Sequence, residues 1–463
     1  MMYNNEKSSE YFHEAMICLE KFKWLYNVPL TNILIDQSLN KIPFTWLSIL
    51  GRLHHKQLNC FVTKLDMQLH WPTSFTEFLN TCKKLNKLPR LKMTLLTKLP
   101  IKFRKDVNLK KQHEILYFSR LIHYNCLLQN ISVIVDLGTG LGYICQLLNY
   151  LYGYKILALD SSHLNIDKAK LRQQNFFPDS ISTIKYICTN ITADSDKFIE
   201  STLEKEFKEK KKCCLIGLHA CGDLSIHASN MHLKMKIARL LVLVSCCYHK
   251  LSYEEINRNN MYINRKEYFK YFPLSNEFKN TIRLLCIDTG NLLKRTFLRL
   301  ASQETSDRWF TIDKTSHNNH SLYTLSRAVL ELYAYNNNLK IKKVIRKGTR
   351  KSHCLNFKDY LKLAMVCYEY EKTNDDNLSV IKFLWTHEVE RNILSLWDRN
   401  YEKLYMIEPY TALQMVLQNV VESLVLIDRM HFLKEQNCNP VLFPVTDRSL
   451  SPRSFALISN KIT

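Results

Sequence analysis

"ISVIVDLGTGLG", residues 131–142, is the stretch that decides the fold. A β-branched run of strand length ends in Asp136 and the glycines Gly138, Gly140 and Gly142, and the apolar helical pattern "LGYICQLLNYLY" (141–152) follows at once. A buried strand that turns sharply into a helix is the first half of a βαβ unit. "YKILALD" (154–160) supplies the second strand and "SSHLNIDKAKLRQQN" (161–175) its helix. "TIKYICTNI" (183–191), "CCLIGLHACGDL" (213–224) and "LLVLVSCC" (240–247) repeat the strand pattern, spaced by the helical stretches 196–212 and 225–238. Five strands alternating with four helices predict one parallel sheet covered on both faces, a doubly wound α/β core.

Working outward, residues 1–105 read as an N-terminal helical region, with apolar residues at three- and four-residue spacing in "SEYFHEAMICLEKFKWLYNV" (9–28) and "TEFLNTCKKLNKL" (76–88). Phe44, Trp46 and Trp71 are expected to be packing residues. The core takes 106–255. Residues 256–405 lose the alternation and read as a mainly helical insertion, with helices over 324–338, 357–372 and 379–405. From 406 to 463 the core pattern returns: a long amphipathic helix, the strand "NPVLFPVTD" (439–447), the turn "RSLSP" (448–452) and the strand "RSFALISNK" (453–461). This ending predicts an antiparallel hairpin that closes the sheet.

The 463 residues carry a formal charge of +22, a pI near 9.3 and 46% apolar residues, so a globular core with an affinity for anionic partners is expected. Nucleic acid is the commonest such partner. The chain opens on "MMYNNEKSSEYF" with no apolar signal region, and its 15 cysteines are odd in number and form no paired C-x-x-C motifs. These features predict reduced thiols, a cytoplasmic or nuclear location, no secretion and no zinc-finger module. No membrane partner is expected, because the long apolar run near 420–430 carries Glu422 and Asp428.

Of nine glycines, six lie between Gly138 and Gly222, which places the chemistry there. Asp160 ends the second strand 20 residues beyond Gly140, where a carboxylate can accept from two ribose hydroxyls. A dinucleotide site expects G-x-G-x-x-G, but here the third glycine comes one position early. Asp136 entering the loop suits a cationic sulfonium and repels a pyrophosphate. S-adenosylmethionine is the reading this favours, with NAD as the alternative. Asp136, Gly138, Thr139, Gly140, Gly142, Asp160, Ser161, Asn190 and His219 are the cofactor candidates. Asn190, read as the end of the third strand, either meets the adenine edge or only forms a turn. His219 and Asp223 leave the fourth strand and Ser245–His249 the fifth, on the rim where all the strands' carboxyl ends open.

Several segments together resemble the methyltransferase-like family that includes the ribosomal RNA adenine dimethylase domain-containing proteins. They are "KKQHEI" (110–115), "VDLGTGLG", "ALDSS", "GLHACGDL", "SCCYHKLS", "VVESLVLIDR" and "LSPRSFALI", with "WPTSFTEFL" upstream. The resemblance implies a class I methyltransferase fold with S-adenosylmethionine as cofactor, and places Lys111, His113 and Glu114 at the mouth of the site. More distantly, "GLHACGDL" and "SCCYHKL" look like segments of transfer-RNA 2′-O-methyltransferases that end in Cys-Cys-His-His, with Tyr248 here in place of the first histidine.

"SCCYH" (245–249) admits three readings. Cys221, Cys246, Cys247, His219 and His249 contain a zinc ligand set. A cysteine is a nucleophile in pyrimidine carbon-5 methylation. In the third reading, the one favoured, the cysteines pack the strand end, Tyr248 and His249 wall a substrate pocket, and His249 or Asp223 accepts a proton. No metal is expected, because neighbouring residues of a strand point to opposite faces and only one of Cys246 and Cys247 would reach the crevice. The chain therefore reads as an S-adenosylmethionine-dependent methyltransferase acting on RNA. A protein methyltransferase, or a non-catalytic module binding the cofactor or RNA on the same fold, is the alternative.

Overall fold

The computed structural model describes residues 5–68, 70–90, 99–104, 107–208, 211–254, 266–345, 355–373, 380–452 and 454–462. Arg453 of "LSPRSFALI" and residues 346–350 of the Lys- and Arg-rich stretch 340–350 lie outside them. β1 (Val133–Leu137), β2 (Lys155–Asp160), β3 (Ile184–Cys188), β4 (Cys213–Ala220) and β5 (Ala238–Ser245) are the expected core strands. Every residue of β1 is buried. Ile134 packs with the helices on one face of the sheet and Val133 and Val135 on the other, the period-two alternation of a strand covered on both sides.

A second, antiparallel sheet has the order β6 (Lys340–Lys343), β7 (Tyr368–Thr373), β8 (Val380–Phe383). This corrects the helices expected over 357–372 and 379–405 in the mainly helical insertion. The helix Phe357–Cys367 stops where Tyr368-Glu-Tyr-Glu begins to alternate at period two, and the next helix starts only at His387. β9 (Cys438–Pro444) and β10 (Phe455–Lys461) close the large sheet, whose order is β3-β2-β1-β4-β5-β10-β9. β1 to β5 run parallel, and β10 is antiparallel to both β5 and β9. This is the predicted doubly wound sheet with its terminal hairpin. The edge strand β9 carries Pro440 and Pro444, which remove hydrogen-bond donors and blunt the edge.

The chain forms two compact units that regroup the four segments expected from the sequence. The first combines 1–17, 85–305 and 419–463. Residues 266–305 join it because Asp428, buried in the helix Leu404–Glu435, accepts from the backbone N–H groups of Leu274 and Ser275 and from the Ser275 hydroxyl, at 2.7–2.8 Å. Phe278 stacks on Phe12 with ring centroids 4.7 Å apart, which brings in the first helix.

The second unit combines 18–84 and 306–418. Its aromatic core includes Phe22, Trp46, Trp71, Phe75 and Phe78. Trp46 and Trp71 pack as expected, whereas Phe44, the first residue of its helix, is 82% exposed. In the same unit Glu408 accepts from His317 and His320, and His317 also pairs with Asn59. The segment His387–Glu435 is long and apolar enough to cross a membrane by length and composition, but 89% of its most apolar stretch is buried inside the protein.

Candidate functional site

The glycine loop leaves β1 with positive φ at Gly138, Gly140 and Gly142. Below it, Asp136 is 3% exposed and accepts from the Cys145 thiol at 3.0 Å. Burial raises the Asp136 pKa, while the hydrogen bonds from Cys145 and Thr139 work against that rise. A Cβ on Gly140 would meet nothing within 4 Å, so the backbone there is open to an approaching ligand. Gly142 has a different role. A Cβ there would lie 2.3 Å from the Tyr186 hydroxyl, so this glycine is needed for the helix Tyr143–Tyr152 to seat against β3. That packing explains the early third glycine.

Asp160 holds the loop. One carboxylate oxygen accepts from the Gly140 N–H at 2.8 Å, and the other from the Ser162 N–H at 2.9 Å and the Asn165 side-chain amide at 3.2 Å. A carboxylate has roughly four acceptor positions. One position therefore remains here, fewer than the two ribose bonds expected, unless the loop amide gives way. Ser161 lies beside it and is exposed. Asn190 is two residues beyond the end of β3 at Cys188 and is exposed, so it does not terminate the strand as the sequence suggested.

At the end of β4 the ladder to β5 slips between Leu218 and Ala220, and His219 takes a φ of +71°. Such a bulge re-aims a side chain. His219 Nε2 meets Glu114 at 3.2 Å, and the Ser451 hydroxyl donates to the other Glu114 oxygen at 2.7 Å. Burial acts to raise the Glu114 pKa, but the bonds from His219 and Ser451 prevail and hold it at about 2. Glu114 is 2% exposed, so it braces His219 from within instead of lining the mouth. His113 accepts from the Asp447 N–H at 3.1 Å and ties the same helix, Leu109–Leu128, to the closing hairpin. Lys111 is half-buried and acts electrostatically on both Glu114 and Asp136, which puts its charge beside the glycine loop.

The loops after β4 and β5 touch backbone to backbone. A Cβ on Gly222 would lie 2.6 Å from the Lys250 carbonyl oxygen, and the Gly222 N–H donates to the Cys247 carbonyl at 3.3 Å. Asp223 accepts from the backbone N–H and the hydroxyl of Ser252. It thus serves as a tether between the loops, a duty the sequence reading did not foresee. Tyr248 points away from the rim: it is 2% exposed, donates to Glu422 at 3.5 Å and lies under the Arg429 guanidinium. It therefore does not wall a pocket. His249 stays half-buried, with Nδ1 2.9 Å from the Ser302 hydroxyl and its carbonyl bonded to Arg295. Burial, reinforced by Arg299, Lys250 and Arg295, lowers its pKa and keeps the ring neutral near pH 7.

Cys246 and Cys247 do not point apart. Their sulfurs are 3.6 Å from each other, Cys221 Sγ is 3.0 Å from Cys246 Sγ, and all three fall within 4.8 Å. The strand ends at Ser245 and Cys247 has φ −111° and ψ 67°, so the alternation rule stops one residue too soon to separate them. A hydrogen bond from Cys246 is the main influence lowering the Cys221 pKa to about 5, against the opposing effect of burial. Cys145, Tyr186, Ser252, Ser302 and Ser451 are partners that sequence reasoning missed. Of these, Ser252 inside "SCCYHKLS" and Ser451 inside "LSPRSFALI" stood in segments that carried the family resemblance.

Residues 110–254 match the sequence profile of a family described as "Methyltransferase domain". Two curated relatives, both named "Probable methyltransferase-like protein 25", align over 288 residues. The Mus musculus protein is 22% identical and the Homo sapiens protein 25%. Each alignment covers 58% of this chain, and the chain spans only 40% of the relatives' length. Among solved structures, the N-terminal domain of human METTL16 with SAH overlays at a TM-score of 0.20 with 18% identity, covering 45% of this chain and 82% of that one. Coclaurine N-methyltransferase with N-methylheliamine and SAH overlays at 0.23 with 11% identity, covering 93% and 99%.

Proposed function

We propose that this chain, whose residues 110–254 match a methyltransferase domain and which is similar to methyltransferase-like proteins, transfers a methyl group from S-adenosylmethionine to RNA. The observation that carries the reading is the glycine loop at the strands' C-terminal rim, open at Gly140 and latched to Asp160. These residues fit the cofactor: Gly140 leaves room for a nucleoside, Asp160 presents a ribose acceptor, and Asp136 and Glu114 put negative charge near a sulfonium. Bound S-adenosylmethionine supplies a methyl group already activated by positive sulfur.

The chain's own part is positioning and proton removal. Glu114 and Ser451 fix the His219 ring at the rim. Of the two proton acceptors expected, Asp223 is engaged by Ser252, whereas His249 is neutral and has Nε2 to offer. As the carbon–sulfur bond breaks and the bond to an acceptor oxygen or nitrogen forms, the acceptor's proton passes to His249. The charge of +22 supports a polyanionic acceptor, and Lys111 supports a phosphate near the loop.

Calorimetric titration with S-adenosylmethionine and S-adenosylhomocysteine tests the cofactor claim. Asp160→Ala is expected to weaken both ligands roughly ten- to hundredfold. Asn165→Ala, which spares the carboxylate, is expected to keep them. Equal affinity in wild type and Asp160→Ala removes the reading. Transfer of a labelled methyl group into RNA but not protein then tests the acceptor.

A further inference from the structure

We propose that Cys221, Cys246 and Cys247 form a three-thiolate site for a thiophilic divalent cation of the zinc class, at the rim where β4 and β5 end. The sulfurs of a tetrahedral site with bonds of about 2.3 Å lie about 3.8 Å apart. Here two of the separations are 3.0 and 3.6 Å, and all three sulfurs fall within 4.8 Å. Among the described residues this is the group of metal-ligating side chains that converges so closely. The argument from the sequence against a metal rested on the two adjacent cysteines pointing apart, and the end of β5 at Ser245 removes that premise.

The convergence is built by the backbone. Gly222 admits the Lys250 carbonyl where a side chain would block it, and the Gly222 and Lys250 N–H groups both donate to the Cys247 carbonyl, at 3.3 and 3.0 Å. Asp223 adds a second tether through Ser252. Ligands carried on such a fixed frame bind without first ordering a loop. Thiolates select zinc-class and cuprous ions over magnesium and calcium. Cys246 is 7% exposed while Cys221 and Cys247 are half-buried, so an ion has cover on one side and access on the other. Three protein ligands leave the fourth tetrahedral position for water or a substrate atom, the pattern of reactive zinc sites. The site does not depend on the methyltransferase reading, since no ligand comes from the glycine loop.

The competing use of these thiols is a Cys221–Cys246 disulfide, which needs the sulfurs to close to about 2.05 Å and leaves Cys247 idle. The test uses the full chain, reduced and stripped with a chelator. It is titrated with zinc against a chromophoric competitor, and with cobalt(II) as an optical probe. Expected are uptake of a single ion per chain, a thiolate-to-cobalt charge-transfer band and the intense visible bands of a tetrahedral site. Cys221→Ser, Cys246→Ser and Cys247→Ser are each expected to weaken uptake roughly tenfold or more. Cys60→Ser and Cys286→Ser, at cysteines outside the cluster, are expected to leave it unchanged. The wild-type cobalt spectrum decides the matter even if a variant fails to fold. Absence of the charge-transfer band, uptake indifferent to the three cluster substitutions, or a Cys221–Cys246 disulfide in protein that takes up no ion would each overturn the proposal.

Discussion

Glu114 shows how a residue chosen for one duty can perform another. It is charged and 2% exposed, with one oxygen on His219 and the other on Ser451. Its folded pKa of about 2 lies below the ordinary 4.5. A depressed carboxylate contributes stability that is fully present above about pH 4.5 and is lost as pH falls towards 2. Wild type should therefore lose stability over that window relative to Glu114→Gln, by on the order of 1–3 kcal/mol, read from urea midpoints at successive pH values. Equal pH dependence in the two proteins would mean that the pair is not formed. His249 carries the opposite kind of prediction. As a proton acceptor with a lowered pKa it is unprotonated at neutral pH, so methyl transfer should be flat around neutrality and fall only on the acid side of the ordinary imidazole value. His249→Ala should reduce turnover roughly a hundredfold with cofactor affinity unchanged. A variant that loses cofactor binding instead would place the ring in the cofactor pocket.

At the scale of elements, the site depends on how strands end. β4 breaks register at His219, and β5 stops at Ser245 and passes into a short turn, Tyr248–Lys250. The two loops can then meet only because position 222 has no side chain and a φ of +53°. Gly222→Ala should lower stability by about 1–3 kcal/mol, measured by urea denaturation, and should separate the loops. An unchanged midpoint would show that the loops are not in contact. The motifs "SCCYHKLS" and "VVESLVLIDR" also explain one another here, since Tyr248 of the first lies between Glu422 and Arg429 of the second. Likewise "KKQHEI" meets "LSPRSFALI" through Glu114 and Ser451. Two pairs of segments separated by more than a hundred residues thus meet through three contacts, and those contacts position the rim.

For the whole molecule, the charge of +22 is the property that bears on its partner. If the acceptor is RNA, its binding should weaken steeply as salt rises, with a slope proportional to the number of phosphates engaged. Fluorescence anisotropy with a short single-stranded RNA across a salt series measures this. No binding at low salt would turn the search towards protein acceptors. The regrouping of the chain into two units also belongs to this scale. Residues 18–84 and 306–418 are far apart in sequence yet are joined by the Asn59–His317–Glu408 network and by Trp24 against Tyr410, and no local pattern announced that pairing.

The sequence by itself determined the strand-and-helix alternation, the terminal hairpin, the glycine loop and Asp160 at the end of β2. All of these are local: hydrophobic period, β-branching and glycine placement are properties of consecutive residues, and a parallel sheet of right-handed units has few ways to assemble from them. The small second sheet was missed although its alternation was present, because its strands are short and directly follow helical patterns. Only the tertiary structure decided that Tyr248 turns inward, that Asp223 is a tether, that Glu114 braces His219 and that three sulfurs converge. Those outcomes arise where strands stop. There the backbone leaves the period-two geometry that makes a side chain's direction predictable, and its course is set by contacts with segments remote in the chain.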